Sequence, residues 1–425
     1  MRRTALAVAG LAFAAVLLAG LHAWRLAALA VNAAVLVHLI FVSLRRVALT
    51  LAALFGRDRA APPPAEPPPR LAALVPCRNE AGALPATLAA WDAVEYPRER
   101  LRLALIDDAS GDATPKLLAE FAATRPWATV VRRDGPAVGK GAALQAGLAA
   151  AADAEAVAVF DADARPAPDC LRWLAAPLGE PTIAAVAGRM IPDDDARPAA
   201  SYAALEAAVH QRLTMTGAAR LNLTTALLGS AYLVRRPLLD ELGFDPTHRL
   251  EDIDLTMRLH ARGGRIAWAP AARCFHRPPA DRRAFLAQRT AWSRGFHRVA
   301  RRWMWEAINA APSGLSALDR ALFCLGYLDR LSFLLGCGLA MAARFAPALW
   351  MPWPFLAIVA AVPLAQLPLA MAADHWPRRR MARAVPALAL FALDLAAELS
   401  ALAADFAGRP LRWRRARRAG EERLG

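Results

Sequence analysis

The chain has 425 residues, 57% of them hydrophobic, and a formal net charge of +15 from 52 basic and 37 acidic side chains. That apolar share exceeds the roughly 45–50% of soluble domains and calls for membrane contact. The basic surplus sits beside apolar runs (Arg2, Arg3, Arg45, Arg46, residues 378–380 and 412–418) with no nucleic-acid-binding motif, so it reads as topology charge facing anionic headgroups and excludes a nucleic-acid partner.

Residues 4–23 and 26–44 are two apolar runs, each near the length that spans a bilayer. The first has the basic start of a signal peptide, but the immediate second run favours a transmembrane hairpin over residues 1–56, turning at His22, Trp24 and Arg25. Arg2, Arg3, Arg45 and Arg46 would place both of its ends in the cytoplasm. Residues 57–69 form a stiff proline-rich linker. From 70 to 300 short apolar strands (71–75, 103–106, 129–131, 156–160) alternate with helical stretches (83–90, 114–123, 141–151, 169–176). Such alternation predicts an α/β domain with a mostly parallel sheet, whose ligands sit beyond the carboxyl ends of the strands. Residues 76–80, 107–112 and 161–163 occupy those ends. Residues 301–330 read as amphipathic interface helices, and 331–425 as transmembrane or interfacial helices with a basic tail. Apolar stretches at 321–343, 345–373 and 384–404 would make three spans, leaving the 412–418 cluster on the far side from the middle domain. The charge rule therefore expects 321–343 or 384–404 to lie in the interface or re-enter.

Several of these positions can carry chemistry. Asp161-Ala162-Asp163 ends the fourth strand with two carboxylates that can reach one Mg2+ or Mn2+ completed by phosphate oxygens. Asp107-Asp108 closes the second strand, either as a turn or as an acceptor of ligand hydrogen bonds. Gly139-Lys140-Gly141 opens a helix and can approach an anion, although it lacks Walker spacing. Glu251-Asp252-Ile253-Asp254 starts another helix, where acids complement the dipole or Asp252 serves as a general base. Gln288 and Trp292 share a helix face, either as a ligand platform or at the membrane interface. Asp394, Glu398 and Asp405 also share a face, which reads as a channel lining or as the polar side of an interfacial helix. The five cysteines are scattered without CxxC spacing and read as buried apolar residues in a reducing compartment.

Over residues 71–295 the order of these pieces is Pro76-Cys77-Arg78-Asn79-Glu80, Asp107-Asp108, Gly139-Lys140-Gly141, Asp161-Ala162-Asp163, Gly229-Ser230, Glu251-Asp252, then Gln288-Arg289 with Trp292. In that order they resemble the membrane-bound, processive-type members of glycosyltransferase family 2, which include the cellulose, hyaluronan and poly-N-acetylglucosamine synthases. The resemblance implies a GT-A (Rossmann-like) domain flanked by transmembrane helices in a bacterial inner membrane, with the catalytic domain cytoplasmic. It implies inverting transfer from a nucleotide-sugar, usually a UDP-sugar, to a polysaccharide or lipid acceptor with a divalent cation. By similarity Pro76, Arg78, Glu80, Asp108 and Lys140 surround the nucleotide, Asp161 and Asp163 serve ribose and metal, and Glu251-Asp252 supplies the base. Gln288, Arg289 and Trp292 would hold the acceptor end and the leaving diphosphate. The family's QxxRW has Arg where this chain has Ala291, which bears on processivity. The competing reading is a catalytically degenerate membrane subunit serving a polysaccharide or glycolipid export assembly.

Overall fold

The computed structural model describes residues 2–57, 62–133, 135–136, 138–193, 196–247, 250–346 and 351–409; the basic cluster at 412–418 lies outside them. The chain divides into two compact units, Met1–Val47 with Gly326–Ala365, and Ala48–Leu325 with Gln366–Gly425.

The larger unit is built on eight strands: β1 Leu71–Cys77, β2 Leu101–Asp107, β3 Ala128–Arg132, β4 Ala156–Val159, β5 Arg165–Pro166, β6 Ile183–Pro192, β7 Tyr232–Arg235 and β8 Arg265–His276. They form one sheet in the order β3-β2-β1-β4-β7-β6-β8-β5. The pairs β1–β2, β2–β3, β1–β4 and β6–β8 are parallel, while β7 is antiparallel to both β4 and β6, and β5 is antiparallel to β8. Strands and crossover helices together make the expected GT-A-type α/β domain. The central strands β1 and β4 are apolar throughout because both faces are covered, whereas the edge strand β3 is largely exposed. Leu71, Ala73, Val75, Leu103 and Leu105 enter one core, and Ala72, Leu74, Ala104 and Ile106 enter the other. Trp91 is fully buried and meets Phe160 edge-to-face, ring centroids 5.1 Å apart, which fixes the residue just before Asp161.

The register aligns the ends that matter. Cys77 pairs with Asp107, and Asp107 with Arg132, so the loops after β1 and β2 leave the sheet at one level. Between β6 and β8 the register jumps from Gly188–Ala269 to Arg189–Arg273, so three residues of β8 bulge out. Pro270 occupies that bulge, where a missing N–H costs no ladder bond.

Two helices frame the far side of the sheet's open end. The helix Glu251–Ala261 docks on the long helix Arg282–Asn309 through Asp254, whose carboxylate takes Trp303 Nε1 at 2.9 Å and Arg258 Nε at 2.7 Å. A Cβ on Gly295 would come within 2.7 Å of Leu250 Cγ, so the glycine is what lets the long helix approach the start of its neighbour. Asp281 caps the long helix by accepting from Ala284 N at 2.8 Å.

Residues Arg2–Phe55 form one continuous helix in place of the expected hairpin. His22, Ala23, Trp24 and Arg25 include no Gly, Pro or Asn to reverse the chain, and all four tolerate helical backbone. In the smaller unit Val35 and Leu39 pack with Leu339, Ala340, Leu356 and Val359, and Asp329, which interrupts an apolar stretch, pairs with Arg46. His22–Phe55, Trp353–Ala373 and Arg378–Phe406 are long and apolar enough to cross a membrane, with a fourth if Gly314–Cys324 and Gly326–Ala342 count as one span.

Two carboxylates of the helix Phe391–Phe406 are held by side chains of the same unit. Asp394 accepts from Tyr202 Oη at 3.2 Å, and Asp405 holds Arg294 Nε at 3.0 Å with His297 Nδ1 at 3.5 Å. Ala387 and Leu390 continue the contact against Tyr202 and Phe285.

Candidate active site

The loops after β1 and β2 are zipped together by side chains. Asn79, in the left-handed region at φ 54°, donates its N–H to Ser110 Oγ at 3.0 Å, and its Oδ1 accepts from Gly111 N at 2.8 Å. Glu80 N donates to Thr114 Oγ1 at 2.8 Å, and Ala81 N to Asp112 Oδ2 at 3.1 Å. Burial would raise the Asp112 carboxyl, but bonds from Thr114 and Ala81 outweigh it and hold the group below the usual range. Around this zipper stand Pro76, half-buried, Arg78, exposed, and Glu80, buried. Asp108 is buried and accepts from Arg133 Nε at 2.8 Å and from Gly139 N at 3.3 Å. Asp107 caps its own turn by accepting from Ser110 N at 3.1 Å.

Lys140 is the hub of the centre. It begins the helix Lys140–Gly147 after Gly139, whose φ of 126° suits glycine. Its ammonium lies 2.8 Å from Asp161 Oδ1 and 2.6 Å from Glu251 Oε1, and it donates to the Gly229 carbonyl. Burial alone would lower this ammonium's pKa; Asp161, Glu251 and Asp252 outweigh burial and keep it above its ordinary value. Asp161 N donates to Ser230 Oγ at 2.9 Å, so the Gly229-Ser230 turn touches both Lys140 and Asp161. Gly229 has φ 66°, and a Cβ there would stand 3.5 Å from Asp252 Oδ2. Glu251 and Asp252 are buried. Burial pushes Glu251 up to about 7 against the pull of Lys140, and it raises Asp252 as well, again opposed by Lys140. Asp163 is buried on the turn after β4 and accepts from Arg277 N at 3.3 Å, just beyond β8.

The structure thus gathers Lys140, Asp161, Glu251 and Asp252, with Asp163 two residues along the same turn. Gln288, Arg289 and Trp292 stand apart on the long helix. Arg289 pairs with Glu206 and lies over the rings of Phe285 and Trp292, 4.9 and 4.8 Å from their centroids. Trp292 is exposed. Arg294, the nearest guanidinium to the alanine at 291 along the helix, is buried and committed to Asp405.

Among the described residues no three His, Cys, Asp or Glu side chains converge as a metal cage. Asp161 and Asp163 provide a two-carboxylate donor set, which fits Mg2+ or Mn2+ that keeps other positions for substrate phosphates. Sequence reading missed Asn79, Ser110, Thr114 and Arg133 as loop builders. The available signal for Ser110 and Thr114 was turn chemistry, short polar side chains around Gly111 in residues 107–114; Arg133 carried none.

Lys140, Asp161, Glu251 and Asp252 thus lie together at the carboxyl edge of a GT-A-type sheet. A mannosyltransferase from Pyrobaculum calidifontis, solved in complex with GDP-Man and Mn2+, shares the fold with a TM-score of 0.56 and 24% identity, over 89% of this chain and 98% of that one. Residues 68–295, over half of the sequence, match the model described as glycosyltransferase like family 2, and the chain belongs to that family. Similar curated proteins are a probable glycosyltransferase, YdaM, of Bacillus subtilis strain 168 (28% identity; 53% of this chain, 55% of the relative) and a beta-monoglucosyldiacylglycerol synthase of Synechocystis (29%; 56% and 50%). A poly-beta-1,6-N-acetyl-D-glucosamine synthase of Staphylococcus epidermidis is 26% identical over 58% of this chain and 59% of its own length. The chain spans about half the length of the curated relatives it matches.

Proposed function

We propose that the chain is a membrane-bound, inverting glycosyltransferase that moves a sugar from a UDP-sugar to a lipid or polysaccharide acceptor at the cytoplasmic face of a bacterial inner membrane. The observation that carries this reading is the partly buried Lys140–Asp161–Glu251 cluster with Asp252 beside it at the sheet's carboxyl edge. In this reading residues 70–300 are the catalytic domain, 1–56 and 331–425 meet the membrane, 57–69 link the two, and 301–330 lie at the interface.

Asp252 takes the proton from the acceptor hydroxyl as that oxygen attacks the anomeric carbon. The bond from that carbon to the nucleoside diphosphate breaks on the opposite face, so the configuration inverts. A carboxyl raised by burial is a stronger base than an ordinary aspartate, which suits this role. Pro76, Arg78, Glu80 and Asp108 line the nucleotide, and Gln288, Arg289 and Trp292 hold the acceptor end. A divalent cation, Mg2+ or Mn2+, would be held by Asp163 and Asp161 and would supply Lewis-acid neutralisation of the leaving diphosphate. Lys140 keeps its charge and sets the positions of Asp161 and Glu251.

Addition of one sugar to a lipid is favoured over polymerisation, because residue 291 is alanine and Arg294 is held by Asp405. The intact acid and lysine cluster speaks against a degenerate subunit. The decisive experiment incubates the purified chain with UDP-sugars, Mn2+ and membrane lipid extract, and measures product mass. A single added sugar is expected. No product from any donor, with no UDP binding, would overturn the assignment. Asp252→Asn should bind UDP as before and lose roughly 10²–10⁴-fold in kcat; retained turnover would remove Asp252 as base.

A further inference from the structure

The segment that delivers Gly229 and Ser230 to the centre, residues 222–230, has no helix or strand of its own. Buried side chains from other elements hold it instead. Thr224 N donates to Asp319 Oδ2 at 2.7 Å. The Thr225 hydroxyl donates to the Ile266 carbonyl, and the Thr225 carbonyl lies 3.0 Å from His260 Nε2. Leu227 N donates to Thr256 Oγ1 at 3.0 Å. The segment then ends in two groups already met at the centre. The Gly229 carbonyl accepts from Lys140, and the Ser230 hydroxyl accepts from Asp161 N.

Asp319 comes from the helix Gly314–Cys324, beyond the last of the sequence motifs. Its neighbour Arg320 donates through Nη1 to the carbonyl of His260, at 3.1 Å, and to that of Ala307. Those carbonyls lie in the last turns of Glu251–Ala261 and Arg282–Asn309. One guanidinium therefore joins the helix that begins with Glu251 and Asp252 to the helix that carries Gln288, Arg289 and Trp292. Asp319, Arg320, His260, Thr225 and Thr256 are all buried. Burial pushes His260 down to about 4, so its ring is neutral near pH 7. A carbonyl only accepts, so Nε2 holds the ring proton. Desolvating a carboxylate and a guanidinium works against stability. What these charges add is direction: Asp319 selects one backbone N–H and Arg320 two carbonyls, which apolar side chains could not single out.

We propose that Asp319 and Arg320 are positioning residues for the transfer step. Asp319 fixes the segment 222–230 where it holds Lys140 and Asp161. Arg320 fixes the base-bearing helix against the helix assigned to the acceptor end. The kinetic consequence rests on the transferase reading above; the structural one does not. The bonds that zip Asn79 to Ser110 and Glu80 to Thr114 involve none of these residues, so the nucleotide side is built separately.

The test compares variants of the full chain in detergent by steady-state kinetics, UDP titration and hydrogen exchange of the ligand-free protein read by mass spectrometry. Asp319→Ala should lower kcat about tenfold or more, because small misplacements far from the reacting atoms are costly. Its donor KM and UDP affinity should stay within about threefold, and protection should fall over residues 222–230 but not over 71–107. Asp319→Asn keeps an acceptor oxygen for Thr224 N and should restore kcat to within about threefold of the parent. Thr256→Val is isosteric and cuts only the bond to Leu227 N; it should lower kcat several-fold with the same local loss of protection, so the idea stays testable if Asp319→Ala misfolds. Arg320→Met should raise the acceptor KM several-fold and leave the donor KM unchanged. Parent-like kcat in Asp319→Ala or Thr256→Val, equal losses in Asp319→Ala and Asp319→Asn, an unchanged acceptor KM in Arg320→Met, or faster exchange spread over the whole sheet would each overturn the proposal. A parent chain that neither transfers sugar nor binds UDP would overturn the transferase reading instead, and the exchange pattern would still decide whether Asp319 holds the segment.

Discussion

The two sides of the candidate centre are built differently. Around Asp108, the loops after β1 and β2 are locked by short bonds between backbone and small side chains, Asn79 to Ser110 and Gly111, Ala81 to Asp112 and Glu80 to Thr114. Around Trp292 the contacts are ion pairs between side chains of different helices, Arg289 to Glu206 and Arg294 to Asp405. The first kind fixes atoms through the backbone and the sheet register. The second depends on helices that can shift as bodies, and Trp292 remains exposed among them. Under the proposed function, that contrast would set a rigid nucleotide side against a more adaptable acceptor side.

Perturbing each side in turn sharpens that contrast. Trp91→Ala strikes the rigid side hardest. It removes a fully buried ring that braces Phe160, and should cost about 3–5 kcal/mol in denaturant unfolding. Gly229→Ala forces a side chain into a left-handed backbone beside Asp252. About 1–2 kcal/mol of strain at that point should lower kcat roughly tenfold, with UDP affinity nearly unchanged in titration calorimetry. Glu206→Gln loosens Arg289 on the adaptable side; steady-state kinetics should show the acceptor KM rising a few-fold while the donor KM stays put.

The smallest effect is one of pH. Glu251 is raised from 4.5 to about 7, so the folded state binds a proton that the unfolded chain has released. Its contribution is fully present below 4.5 and is lost as pH rises through about 7. The melting temperature of the ligand-free chain should therefore decline modestly across that window, and Glu251→Gln should flatten the decline.

Long apolar runs made the first half of the fold legible. β1, β2 and β4 announce themselves because they are buried on both faces almost throughout, and β3, largely exposed, shows through its β-branched Thr129, Val130 and Val131. The second half hid for identifiable reasons. β5 has two residues and β7 four, too few for a pattern, and β8 carries Pro270 in its bulge. β6 is rich in alanine, which blurs strand and helix. The hairpin expected at the N-terminus failed because a lone arginine after tryptophan is not a turn signal. At the site, motif order located Lys140, Asp161, Glu251 and Asp252, but spacing along the chain could not disclose that one ammonium joins the first helix of the centre to the last. Nor could it show that Asp254, in the same acidic run, serves Trp303 and Arg258.

That ammonium has a consequence for how the protein meets salt. Lys140 acts as an internal counter-ion shared by two carboxylates, where bulk ions would otherwise gather. An ion pair this enclosed is little screened, whereas exposed charges such as Arg378 and Arg379 are screened within roughly 8 Å at physiological ionic strength. The protein therefore carries two electrostatic regimes. Ionic strength should act on its exposed arginines far more than on the partly buried pairs of Lys140.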